Sequence, residues 1–167
     1  IANNLKLSLK LPSIIARLLT VRKISDISLA DGFLNNPKIT YDPFLLKDMD
    51  KAAERINRAI KTHEKICVFG DYDADGVTAT ALLYLYFKSL GKEVMTYIPD
   101  RNSEGYGLNM NAIKSLCESG VQLIITVDNG ISAHKEAGYI KELGMDLVIT
   151  DHHKASALLP EAVAVVN

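Results

Sequence analysis

A chain of 167 residues, 48% of them apolar, holds enough material for one substantial hydrophobic core, with room for a small appendage. Its 19 basic and 20 acidic residues leave a formal charge of −1, which excludes a global basic field that would draw in nucleic acid unaided. No apolar run approaches the ~18 residues of a membrane span. The two cysteines, Cys67 and Cys117, stand in apolar sequence without CxxC or histidine spacing, so buried free thiols in a reducing cytoplasm are expected.

The amino terminus carries lysines and leucines but no secretory cleavage pattern. It begins at Ile1 rather than Met, and Val165, Val166 and Asn167 fall inside what reads as another strand, so a piece of a longer polypeptide is expected. Short apolar helix patterns are predicted over 12–20 and 28–34. Asn36-Pro37 and Asp42-Pro43 then break the chain, because proline restricts both itself and its predecessor. Across 44–61, Leu45, Leu46, Met49, Ala52, Ala53, Ile56, Ala59 and Ile60 recur at three and four, which predicts an amphipathic helix. Residues 1–62 are read as a helical preamble packed on the core, and 63–167 as the domain that bears the chemistry.

From there the pattern is strand, acidic turn, helix. Strands are predicted over 65–69, 93–98, 122–127 and 145–150, and helices over 77–90, 109–118 and 132–143. The longest apolar run, 79–87, reads as the core-facing part of its helix. Residues 99–107 form a polar loop. Strands apolar on both faces and separated by helices imply an α/β fold: a parallel, Rossmann-like sheet with helices on both faces and right-handed crossovers.

Three acidic segments each close a strand: Asp71-Tyr72-Asp73-Ala74-Asp75-Gly76, Asp128-Asn129-Gly130 and Asp151-His152-His153. Open α/β sheets place ligands at the carboxyl ends of their strands. So many carboxylates at one edge repel one another unless cations sit among them. On extended chain Asp71, Asp73 and Asp75, at spacing two, point to one side, and Gly76 permits a sharp turn into a helix. A helix-capping turn with surplus acid is the plainer reading of that cluster, and Asp128-Asn129-Gly130 taken alone is ordinary turn chemistry. Adjacent His152 and His153 project in different directions, which suggests one as a metal ligand and the other facing substrate, with Asp151 orienting a ring; solvated surface is the alternative. His63 and His134 are read as solvated surface. Carboxylates mixed with imidazole suit Mn²⁺ or Mg²⁺, and the ligand count allows two ions acting in phosphoester hydrolysis. A phosphate-accepting receiver domain also gathers acids at strand ends but has no use for the paired histidines.

These segments resemble the first three motifs of the DHH phosphoesterase superfamily, named for its Asp-His-His triplet. GDYDADGVTATALL at 70–83, PDRNSEGYGLN at 99–109, LIITVDNGIS at 123–132 and DLVITDHHK at 146–154 are most similar to its RecJ branch of single-strand-specific 5′→3′ DNA exonucleases. FLNNP at 33–37 and DPFLLKDMDKAAERINRAI at 42–60 extend the likeness into the preamble. The resemblance implies Asp73, Asp75, Asp128 and His152 as ligands of Mn²⁺ or Mg²⁺, with Asp71 of the same motif as a further candidate. It implies that His153 touches the scissile phosphate and that the loop with Arg101, Glu104 and Tyr106 contacts nucleic acid. Single-stranded DNA would be the substrate, mononucleotides the product and DNA repair or recombination the setting, with a helicase or single-strand-binding protein as partner. A fourth motif with another aspartate, a cleft-closing second domain and an oligonucleotide-binding domain belong to the family pattern and are not found up to Asn167. Two alternatives remain: a DHH phosphodiesterase of short oligonucleotides or cyclic dinucleotides, and a non-catalytic DHH scaffold in a replication or repair assembly.

Overall fold

The computed structural model describes residues 1–35 and 41–167, and the expected break at Asn36-Pro37 lies outside them. It divides into two compact units, Ile1–Asp42 and Pro43–Asn167. In the first, helices α1 (Ala2–Ser8), α2 (Ser13–Val21) and α3 (Ile27–Leu34) bury Leu5, Ala16, Leu19 and Ala30 together. Asp26 caps α3 by accepting the Leu29 N–H at 2.9 Å. The sequence patterns predicted α2 and α3; α1 was not anticipated.

The second unit opens with a 3-10 turn at Pro43–Leu45, then helix α4 (Met49–Lys61). The single helix expected over 44–61 is thus corrected to a turn and a helix. Asp48 stands between them with a φ of 57°, a left-handed torsion that no α-helix propagates. The chain continues as β1 (Ile66–Phe69), α5 (Ala74–Ser89), β2 (Met95–Tyr97), α6 (Met110–Glu118), β3 (Leu123–Val127), α7 (His134–Glu142), β4 (Asp146–Thr150) and β5 (Ala164–Val166).

All strand pairs are parallel, in the order β2-β1-β3-β4-β5. Alternation along the strands sends Cys67, Phe69, Ile124, Leu147, Ile149 and Val165 to one face, where α6 and α7 cover them. Ile66, Val68, Leu123, Ile125, Val127, Val148, Ala164 and Val166 go to the other, with Ala52 and Ala59 of α4 and Phe87 of α5. The chain runs outward to β2 through α5 on one face and onward to β3 and β4 through α6 and α7 on the other. The face changes with the direction of travel, as a single crossover handedness requires. The α/β, parallel-sheet expectation therefore holds.

Three further expectations change. The helix predicted from 77 begins at Ala74, because the Asp73 carboxylate caps it by accepting N–H groups of Asp75 and Gly76 at 2.9 and 3.0 Å. Its apolar run is also not mainly core-facing: Phe87 is buried, but Leu82 is 69% and Leu85 60% exposed. Of the two free thiols, Cys67 is buried, and burial raises its pKa to about 12, while Cys117 is only half-buried. No described helix is long and apolar enough to cross a membrane.

Candidate metal centre

The sheet's winding reverses between β1 and β3: from β1 the chain turns to β2 on one side, while β3 lies on the other. A crevice opens beyond the carboxyl ends of strands at such a point. Asp71 to Asp75 follow β1, Asp128 follows β3, and Asp151 to His153 follow β4, the next strand over.

Gly76 lets the first turn of α5 sit directly on the main chain of Asp71; a Cβ there would lie 2.5 Å from the Asp71 carbonyl oxygen. Asp71 is thereby almost fully buried, and its Oδ1 has no hydrogen-bond partner among the described residues. Asp73 is exposed, and its carboxyl lies below the usual range, held there first by the Gly76 N–H and also by the Asp75 N–H.

Asp128 adopts a φ of 62°. That torsion is fixed by its neighbours: its N–H donates to Thr150 O at 3.1 Å, and its carbonyl accepts from the Tyr106 hydroxyl at 2.9 Å. Its Oδ1 lies 2.8 Å from His152 Nε2, and its Oδ2 is buried without a partner among the described residues. Burial pushes the Asp128 carboxyl up and the nearby Asp73 charge adds to the effect, against the hydrogen bond with His152.

The Asp151 carboxylate is buried and fully engaged. Oδ2 accepts the Ile131 N–H at 2.9 Å, while Oδ1 takes the N–H groups of His152 and His153 at 2.7 and 3.1 Å and lies 2.7 Å from His153 Nδ1. Burial works against its charge, but these donors outweigh it and leave the carboxyl below the usual range. Hydrogen bonding to Asp151 in turn raises the pKa of His153, as do the charges of Asp128 and Asp73.

Among the described residues two groups of donor atoms result, the atoms of each within 4.8 Å of one another: Asp71 with Asp73 and Asp128, and Asp128 with His152 and His153. Asp128 belongs to both. Asp75 belongs to neither; it sits exposed in the first turn of α5, lining a cavity of about 680 Å³ that Asp128 and His152 also border. The expectation that Asp71, Asp73 and Asp75 converge on extended chain is corrected accordingly. The early start of α5 turns Asp73 into a cap and Asp75 into a helical residue, and the partner of Asp71 and Asp73 is Asp128.

The profile of the DHH family, N-terminal domain, matches residues 65–167. The chain belongs to the DHH family. It is 46% identical over 160 residues to the single-stranded-DNA-specific exonuclease RecJ of Bacillus subtilis, covering 95% of this chain and 20% of that protein. The exonuclease of the same name from Escherichia coli is 42% identical over 123 residues, covering 73% of this chain and 21% of its own length. The chain thus spans about a fifth of these relatives. Among solved structures, an exonuclease RecJ bound to manganese matches with a TM-score of 0.69 and 36% identity, covering 75% of this chain and 32% of that one. RecJ of Thermus thermophilus in complex with Mn²⁺ matches with a TM-score of 0.72 and 28% identity, covering 98% of this chain and 22% of its own.

The residues of this DHH-family chain fit a divalent cation on their own chemistry. Two buried carboxylate oxygens, Asp71 Oδ1 and Asp128 Oδ2, have no donor among the described residues, a costly arrangement that a cation relieves. The oxygen-rich set with imidazole suits Mn²⁺ or Mg²⁺.

The flanking loop carries the remaining predicted residues. Tyr106 contacts both Asp128 O and His153 Nδ1, the latter at 3.3 Å, and its ring meets that of His153 edge-on. Burial, followed by the carboxylates around it, pushes its hydroxyl well above the usual tyrosine range. Arg101 is exposed and lies over the ring of Tyr72 at 5.3 Å, which in turn meets Tyr106 edge-on. Sequence reasoning passed over Tyr72, although an aromatic residue between two candidate ligands was a signal. Glu104, expected to contact nucleic acid, turns inward instead, with Tyr97, Asp100 and Asn109 as its partners. His63 and His134 are exposed, as expected.

Proposed function

We propose that this chain carries the phosphoesterase part of a divalent-metal-dependent exonuclease that hydrolyses single-stranded DNA from its 5′ end. The observation that carries the proposal is the gathering of Asp71, Asp73, Asp128 and His152 at the reversal point of the sheet, with two buried carboxylate oxygens lacking donors. Asp71, Asp73, Asp128 and His152 are assigned as the metal ligands, and Asp75, which stands outside both donor groups, is kept as a further ligand on the family resemblance alone. Two ions of Mn²⁺ or Mg²⁺, when bound, would lower the pKa of water and neutralise the phosphate. The manganese in the two similar solved structures supports that choice.

His153 is assigned to the scissile phosphate. Asp151 fixes its ring through Nδ1 and favours its protonated form, leaving Nε2 as a cationic donor toward developing negative charge. Tyr106 steadies the main chain of Asp128 and the His153 ring together. Arg101, exposed beside Tyr72, is assigned to a backbone phosphate. The names of the relatives support single-stranded DNA as substrate. We extend the same reading to a role in DNA repair or recombination in the cytoplasm, alongside a helicase or single-strand-binding protein. It also retains the division into a helical region, 1–62, and a phosphoesterase domain, 63–167.

The test is release of mononucleotides from 5′-labelled single-stranded DNA in the presence of Mn²⁺. Hydrolysis is expected to stop with chelator and in Asp128→Ala, and to spare blunt duplex. Turnover of dinucleotides but not of long strands would favour the oligonucleotide phosphodiesterase. DNA binding with neither metal uptake nor hydrolysis would favour the scaffold.

A further inference from the structure

Asn129 is completely buried, and no step proposed above uses it. Its side-chain amide donates twice, to Phe69 O at 3.2 Å and to Val127 O at 3.0 Å. Those residues end β1 and β3, neighbouring strands whose register runs up to Phe69 opposite Thr126. The next residue, Gly70, donates its N–H to Tyr97 O at the end of β2, as alternation along a central strand requires. The register of β1 with β3 ends at the pair of Phe69 and Thr126, and the Asn129 amide ties the two strand ends together just beyond it.

The place of this bridge gives it leverage. Asp71 lies two residues beyond one of the bridged carbonyls, and Asp128 one residue beyond the other. We propose that Asn129 is a positioning residue: its amide clamps the ends of β1 and β3 and so sets the separation between Asp71 and Asp128 from which metal affinity follows. The inference rests on the metal-centre reading of the same site.

The surroundings leave the clamp little freedom. Gly130 follows at a φ of 108°, and a Cβ on it would come within 2.8 Å of Thr126 Oγ1. Asn129 therefore sits on a turn that closes tightly onto β3. An aspartate at this position would oppose a carboxylate to two carbonyl oxygens, and a leucine would keep the shape while removing both donors. An asparagine that merely satisfies turn carbonyls would affect stability alone. One that positions ligands must also affect metal binding by protein that remains folded.

The test is calorimetric titration of Mn²⁺ into the wild-type chain and into Asn129→Leu, Asn129→Ser and Asp128→Ala, with folding checked by circular dichroism in the cold. Asp128→Ala is expected to lose binding, and the folded Asn129 variants to bind about 10- to 100-fold more weakly than wild type. Unchanged Mn²⁺ affinity in either folded Asn129 variant overturns the inference and leaves the metal centre standing. Failure of both to fold assigns Asn129 to the fold alone and also overturns it. Wild-type affinity in Asp128→Ala, or no binding by wild type, overturns the metal reading and this inference with it.

Discussion

At Glu104 both carboxylate oxygens are taken. Oε1 accepts from the Tyr97 hydroxyl and from Asn109 Nδ2, and Oε2 accepts the Asp100 N–H. The Tyr97 hydroxyl is the main reason that its carboxyl lies below the usual glutamate range. A lowered folded-state pKa means stabilisation that is present above the unfolded value, 4.5, and is lost as pH falls through the folded one. Glu104→Gln is therefore expected to reduce the drop in Tm between about pH 7 and about pH 3. Thermal melts at both pH values check this, and an unchanged drop would remove Glu104 from the account. The same residue marks a limit of reading sequence. The loop over 99–107 was legible as a polar loop beside the site, yet a string of polar residues carries no sign of which one turns inward. That depends on Tyr97 and Asn109, which flank the loop in the fold.

Among the elements, α5 departs furthest from its sequence. From Ala81 to Phe87 almost every residue is apolar, so the sequence ranks no face of the helix above another. The sheet makes the choice, meeting α5 along a narrow stripe at Gly76, Thr80 and Phe87. Phe87→Ala is expected to cost about 3–5 kcal/mol, as for other buried aromatic truncations. Leu85→Ala, at an exposed position, should stay within about 0.5 kcal/mol of wild type. Urea titration of the two variants checks the contrast, and equal losses would put Leu85 under cover. The strands were more legible, because a parallel strand buried on both faces announces itself as a short continuous apolar run. α1 was missed in a stretch that alternates apolar with basic and polar residues and holds a single fully buried side chain, Leu5.

On the scale of the whole molecule, the site draws on the ends of β1, β3 and β4, which are adjacent in the sheet although distant in sequence. The sequence placed the acidic clusters at strand ends, and so at one edge of the sheet. Strand order lay beyond it, because which way each crossover turns is decided by packing. Asp75, picked out by spacing and by family resemblance, stands outside both donor groups because the early start of α5 makes it a helical residue. A site built from three strands exists only in the folded state, so its ion should stabilise the fold. Mn²⁺ at 100 times its Kd is expected to add about 2.7 kcal/mol, or about 5–10 °C in Tm at this chain length, and chelator should remove the gain. Differential scanning calorimetry checks this, and a flat response would count against the metal centre. The left-handed torsion of Asp128 carries a different implication. An L side chain is strained by about 1–2 kcal/mol there, and this one also sets its charge near that of Asp73. Glycine would relieve both, so metal-free Asp128→Gly is expected to melt above the metal-free wild type while taking up no Mn²⁺. Durability and chemistry thus pull on one backbone torsion in opposite directions.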